Sequence, residues 1–237
     1  MAMLDYLNGS YTEDIVTETN ISEEDILPLP YLFRTFEEMP TIEQKALELC
    51  KGKILDVGCG AGGHSLYLQT KGKEVIAIDT SLGAAEVARR RGVENVKQKD
   101  LLEIIEKFDT ILLLMNGTGI FQEIELVPKY LNHLKSILNK DGQILIDSSD
   151  LKYMYQDEPE LLQELETYYG ELDYYISYKG HKNPPLKWLY LDYKTLKGLS
   201  MAQGLKCEML MEGENYDYLA RLTVGPPYSS NIGSPLI

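Results

Sequence analysis

The residues best suited to chemistry lie in Ile54-Leu55-Asp56-Val57-Gly58-Cys59-Gly60-Ala61-Gly62-Gly63. An apolar run carrying one acid enters a loop with glycine at every second position. His64-Ser65-Leu66-Tyr67-Leu68 follows as an amphipathic run, so the order reads strand, glycine loop, helix. Glycines let the turn tighten and let a ligand approach the backbone, and the helix start offers free N–H groups. The loop alone is ambiguous, because Gly58-x-Gly60-x-x-Gly63 also satisfies the dinucleotide pattern. The acid narrows the choice. Asp56 stands two residues before the first glycine, where it would repel a pyrophosphate and welcome an α-amino group.

Three further motifs follow, at intervals of about one strand–helix unit, and the first two close on an acid. Glu74-Val75-Ile76-Ala77-Ile78-Asp79 is an apolar strand ending in a carboxylate that could accept both hydroxyls of a ribose. Val96-Lys97-Gln98-Lys99-Asp100-Leu101 again closes on an acid. Phe108-Asp109-Thr110-Ile111-Leu112-Leu113-Leu114-Met115-Asn116 reads as a buried strand with a polar end. Singly, each acid is an ordinary strand-end or capping residue; the ordered set of motifs is the signal. Asp56, Gly58, Gly60 and Gly62 resemble motif I of the class I S-adenosylmethionine-dependent methyltransferases, and the resemblance runs from residue 53 to about 147.

The resemblance implies S-adenosylmethionine as cofactor and a doubly wound seven-stranded sheet, mostly parallel with an antiparallel last strand. It implies cofactor contacts at Asp56, Gly58, Gly60, Gly62, Asp79, Thr80, Leu82, Asp100, Leu101, Met115 and Asn116. Asp100 would meet the adenine amino group, Leu82 and Leu101 would sandwich the ring, and Asn116 is the candidate residue facing the transferring methyl. Arg34, the first cation after a long acidic segment, is a candidate for the methionine carboxylate, with an internal salt bridge as an equal reading. A sulfonium already activates its methyl, so no catalytic dyad is required, and a base is needed only when the acceptor must lose a proton. His64, His133 and His181 read as packing or loop residues.

Elements that must position these groups follow from the same pattern. Strands are predicted near 53–57, 74–78, 95–98, 109–115 and 142–147, with helices near 63–71, 82–91 and 123–138. This alternation argues for an α/β fold. Thr41 is expected to cap a helix running to about Cys50 with Ala46, Leu47 and Cys50 on one face. Residues 1–40 are assigned as an acidic arm, irregular through 33, whose segment 31–39 covers the cofactor. Residues 41–224 form the main domain, and 225–237 a loose or docked tail. Within the domain, 148–193 is an insert before the last helix (about 194–203), and 205–211 with 216–224 finish as a strand pair. The insert holds nine of the 17 tyrosines. A helix could begin at Glu158-Pro159-Glu160. Leu172–Lys179 and Leu186–Tyr193 read as a hairpin, either a lid over an acceptor or an interface in a homodimer.

Composition sets outer bounds. The chain has 237 residues, 44% hydrophobic and 25% charged, which suits one large globular α/β domain. Its formal charge of −14 disfavours a nucleic-acid substrate. Arg89-Arg90-Arg91 reads as a helix terminus closed by Gly92. Three scattered cysteines give neither a disulfide framework nor a metal site and suit a reducing cytoplasm. No apolar run is long enough to span a bilayer, and the acidic start is unlike a signal peptide. Asn183-Pro184-Pro185-Leu186 resembles a motif of amino-group methyltransferases acting on nucleic acid or protein, but stands in the wrong place. The expected partner is therefore a small-molecule acceptor. The competing readings are a noncatalytic S-adenosylmethionine-binding adaptor and an NAD-dependent oxidoreductase; Asp56 argues against the latter.

Overall fold

The computed structural model describes residues 1–157 and 160–225. The N-terminal segment forms α1 (Ala2–Leu7), β1 (Ile15–Thr19) and β2 (Ser22–Leu27), then two 3-10 turns at Leu29–Phe33 and Phe36–Glu38. The expectation of an irregular arm fails here. β2 is almost wholly exposed, Ser22-Glu23-Glu24-Asp25-Ile26-Leu27, so no buried face writes an alternating pattern into its sequence.

Next comes α2 (Thr41–Glu48), with Pro40 at the N-cap and no side-chain cap. Thr41 is the first helical residue, one position too far in to cap. Its face Ala46, Leu47 and Cys50 is buried as expected. The chain then alternates through β3 (Lys53–Val57), α3 (Gly63–Thr70), β4 (Glu74–Asp79), α4 (Leu82–Arg90), β5 (Val96–Gln98), β6 (Phe108–Leu113), α5 (Val127–Ser136) and β7 (Leu138–Ser149). The insert supplies α6 (Leu161–Glu164), β8 (Glu171–Tyr178), β9 (His181–Lys182) and β10 (Leu186–Leu189). The chain continues through α7 (Tyr193–Ala202), β11 (Leu205–Glu212) and β12 (Asp217–Val224). Glu158, Pro159 and the tail from 226 lie outside the described residues.

Seven strands form one sheet in the order β11-β12-β7-β6-β3-β4-β5. β12 runs antiparallel to both its neighbours, and the β3, β4, β5, β6 and β7 pairings are parallel. Both faces are covered, which the strands show as a split alternation. Leu55, Ile111, Leu113, Ile144 and Ile146 face the core beneath α5 and α7; Ile54, Leu112 and Leu145 face that beneath α2 and α3. The chain leaves β3 outward to β4 and β5, then returns to lay β6 on the other side of β3. The order reverses between β3 and β6, and a crevice opens at the carboxyl ends there.

A second sheet, β10-β8-β1-β2 with β9 on β8, stands over that crevice. It joins the N-terminal segment to the insert: Val16, Thr17, Glu18 and Thr19 of β1 pair with Ser177, Ile176, Tyr175 and Tyr174 of β8. Ala2, Ile15, Leu29 and Tyr178 form a small apolar core behind it.

Candidate active site

The glycine loop is held from below. Gly58 and Cys59 N–H groups both donate to the Ile78 carbonyl, at 2.9 and 3.0 Å, which ties the turn to β4. Gly58, Gly60 and Gly62 all have positive φ, at 72°, 53° and 83°. At Gly62 a Cβ would stand 2.7 Å from Val93 Cγ2, so both backbone and space require glycine. At Gly60 the space a Cβ would fill is open within 4 Å, leaving bare backbone at the crevice.

Asp79 secures the loop from the side. Its carboxylate accepts from Gly60 N at 2.9 Å and Ser81 N at 2.8 Å. Burial pushes its pKa up, against the pull of those two N–H groups. Each oxygen keeps a lone pair for a further donor. Thr80, Asp100 and Leu101 line the same cavity, about 460 Å³. Asp100 also caps the turn after β5 through Leu102 N at 2.8 Å. Leu82 does not line this cavity. Ser81 caps α4 by accepting from Ala84 N, and the turn carries Leu82 to the outer surface, 63% exposed.

The neighbouring cavity, about 610 Å³, is lined by Gly58, Gly60, Arg34, Met115 and Asn116 among others. Val57, Gly58, Ile120, Leu186 and Trp188 line both, so the two cavities are lobes of one crevice. Tyr31 and Met39 of the N-terminal segment wall the larger lobe, and Tyr174, Ile176, Trp188 and Tyr190 of the insert roof it. Alternation divides the insert's last strand: Trp188 and Tyr190 face the lobe while Leu189 and Leu191 enter the main core. Trp188 lies over Gly119, where a Cβ would stand 2.1 Å from Cε2 of the indole.

Asp56 sits beneath the loop rather than at the cavity wall. It is buried, accepts from Ser65 Oγ at 2.6 Å and lies 4.0 Å from His64 Nδ1. It shares the sheet face of Ile54, on which α2 and α3 pack. Those helices contribute Glu43 and His64, and the N-terminal segment contributes Arg34. Arg34 donates to both Glu43 oxygens at 2.5 Å, and His64 Nε2 meets Glu43 Oε2 at 2.6 Å. For His64, burial works to lower the pKa, but the Glu43 hydrogen bond and the nearby acids outweigh it and raise it. For Glu43, burial works upward and His64 with Arg34 carries it down. Arg34 therefore makes the salt bridge, yet it also lines the lobe, and its Nε is buried with no partner among the described residues.

Asn116 has both ends of its amide engaged. Nδ2 donates to Leu189 O at 3.2 Å, and Oδ1 accepts from Ser148 Oγ at 2.9 Å. Met115 and Asn116 both take positive φ, 63° and 59°. The turn is held by a residue that the sequence reading passed over: Asp147, whose oxygens accept from Met115 N at 3.1 Å and Gly117 N at 2.8 Å. Asp147 lines the lobe and is 9% exposed, and burial raises its pKa to about 6. Its signal was present as Ile144-Leu145-Ile146-Asp147, an apolar strand closing on an acid, the same signature as Asp79.

Arg91 is a second omission. Rather than only facing a helix dipole, it donates to Ala61 O at 2.7 Å and Phe33 O at 3.2 Å, binding the glycine loop to the N-terminal segment. His133 lies on α5, away from both lobes, and His181 is exposed on β9. Pro185 and Leu186 of the Asn-Pro-Pro-Leu stretch border the smaller lobe, far in sequence from the end of β6.

A methyltransferase domain family model matches residues 50–215. The crystal structure of an S-adenosylmethionine-dependent methyltransferase from Bacteroides fragilis, in complex with S-adenosyl-L-homocysteine, superposes with a TM-score of 0.88. It is 42% identical, over 95% of this chain and 93% of that one. An uncharacterized methyltransferase of Staphylococcus carnosus is 26% identical over 176 residues, 73% of this chain and 79% of its own length. A ubiquinone biosynthesis O-methyltransferase of Pasteurella multocida is 39% identical over 83 residues, 35% of this chain and 32% of the relative. The chain thus spans about a third of that relative, and half of its counterpart from Actinobacillus pleuropneumoniae. The fold, with its reversal at β3 and β6 and one antiparallel strand, is that of the class I methyltransferases. The chain belongs to the S-adenosylmethionine-dependent methyltransferase family.

Proposed function

We propose that this chain transfers the methyl group of S-adenosylmethionine to a small-molecule acceptor. The observation that carries the reading is the two-lobed crevice at the strand ends. One lobe has a ribose-type carboxylate and an apolar adenine-type wall; the other is enclosed by aromatics. The residues fit the cofactor on three counts: the open backbone at Gly60, the remaining lone pairs of Asp79, and the orphaned Arg34 Nε.

When bound, the cofactor supplies a methyl group on a sulfonium, already activated for in-line displacement. The protein's part is holding and excluding. Asp79 would accept the ribose hydroxyls, while Asp100 and Leu101 would meet the adenine. Arg34 Nε would donate to the methionine carboxylate, with Glu43 fixing the guanidinium plane. The N–H groups of the Gly58–Gly62 loop would border the same end, with Asp56 tuning it from beneath. Asn116 positions the roof by tying Leu189 and Ser148 to the end of β6. The second sheet keeps water from the acceptor.

Calorimetry with S-adenosylhomocysteine tests this reading. We expect binding by the parent protein, and Asp79→Ala should weaken it by about 2–4 kcal/mol, as loss of charge-assisted hydrogen bonds does. Binding of NAD with none of S-adenosylhomocysteine would reverse the reading in favour of an oxidoreductase.

A further inference from the structure

The larger lobe has an imbalance of charge that the proposed cofactor chemistry does not use. Five ionisable side chains of charge-bearing type line it: Arg34, Glu43, His64, Asp147 and Asp217. Both cations are already spent. Arg34 forks onto Glu43, and His64 bonds Glu43 while lying beside Asp56. Asp147 and Asp217 form no ion pair among the described residues; their recorded side-chain partners are backbone N–H groups. Antiparallel pairing sets Asp217 opposite Ser149 and Leu219 opposite Asp147, so the two carboxylates share one sheet face, two positions apart. Across from them stand Tyr174, Trp188 and Tyr190, with the Tyr174 and Trp188 ring centres 6.1 Å apart. One face of Tyr31 is already taken by Arg34, which lies over the ring at 4.1 Å.

Resting on the methyltransferase reading, we infer that the acceptor molecule is recognised through an ammonium group, seated with that nitrogen against Asp147 and its carbon skeleton under Tyr174, Trp188 and Tyr190. A buried carboxylate without a counter-ion is costly, and an incoming ammonium removes that cost while gaining a charge-assisted hydrogen bond. Aromatic faces attract the same charge. Anionic acceptors meet the opposite field, both from the two carboxylates and from the chain's formal charge of −14. Burial that raises the Asp147 pKa to about 6 still leaves it ionised at neutral pH, and a bound ammonium would lower it again. A neutral alcohol could donate one hydrogen bond there but would leave the charge unpaired.

The test compares acceptor analogues that differ only in the polar group, binding to the protein saturated with S-adenosylhomocysteine. The probes are 2-phenylethylamine, 2-phenylethanol and phenylacetate, then hexylamine, hexanol and hexanoate. Calorimetry should rank amine over alcohol over carboxylate in both series, with the amine at least about tenfold ahead. Asp147→Asn, measured on protein saturated with S-adenosylhomocysteine, should remove that lead. A leading alcohol or carboxylate, or no amine preference, would overturn the inference, and the parent protein alone decides this. An amine lead that survives Asp147→Asn in the folded protein would also overturn it, by seating the nitrogen elsewhere. Failure of the parent to bind S-adenosylhomocysteine at all is a separate result, and it sinks the methyltransferase reading beneath both.

Discussion

At the residue scale, the group joining the N-terminal segment to the glycine-loop helix is His64. Its pKa in the folded protein lies above the ordinary 6.5, because the Glu43 hydrogen bond and the adjacent acids outweigh burial. The stability this contributes is fully present below the unfolded value and is lost as pH rises through the folded one. His64→Gln should therefore cost about 1.5–3 kcal/mol near pH 5.5, where the imidazolium is lost from its charged hydrogen bond, and less at about pH 9. Urea unfolding of parent and variant at the two pH values measures the difference; an equal cost at both would show His64 bonding as the neutral ring. Sequence made the backbone half of this site readable, because Gly58, Gly60, Gly62 and Asp79 sit in one continuous local pattern. It left the Arg34–Glu43–His64 cluster hidden, since those residues meet only after three elements pack. Glu43 in particular looks like any exposed first-turn helix acid until α2 turns it inward.

At the element scale, the strands of the main sheet were legible because both faces are buried, which leaves runs such as Ile111-Leu112-Leu113-Leu114. β1 and β2 were not, because β2 is an exposed acidic edge and β1 draws its order from β8, far along the chain. An edge of this kind suits a sheet that must not recruit further strands. The roof depends on another feature with no helix or strand signature, the packing of Trp188 on Gly119. Gly119→Ala places a methyl group inside the indole. It should cost about 1–3 kcal/mol through overpacking and tilt the ring. The chain has one tryptophan, so its emission reports this roof without interference. A red-shifted maximum with a lowered melting temperature is the expected result, and an unchanged spectrum would place the ring elsewhere.

At the scale of the whole molecule, the crevice is bounded by two sheets, and the second is assembled from two segments far apart in sequence, 15–27 and 171–189. Deleting residues 1–39 removes β1 from the middle of that second sheet, together with Arg34, and strips Tyr178 of its apolar neighbours Ile15 and Leu29. The seven-stranded sheet keeps all its strands. We expect the truncated protein to retain most of its helical circular dichroism, to melt lower, and to bind S-adenosylhomocysteine more weakly; unimpaired binding would free the segment from any part in the site. The same interleaving has a consequence for biogenesis. Val16 must pair with Ser177, and Lys179 N–H with Glu13, across 166 residues. At roughly 5–20 residues per second, the ribosome holds the β1–β2 pair without its β8 partner for about 10–30 s. Through that interval the parallel sheet can form while the chamber above it stays unroofed. Synthesis thus runs ahead of closure: a nascent chain shows an open groove first and a roofed chamber only after β8 and β10 have been made.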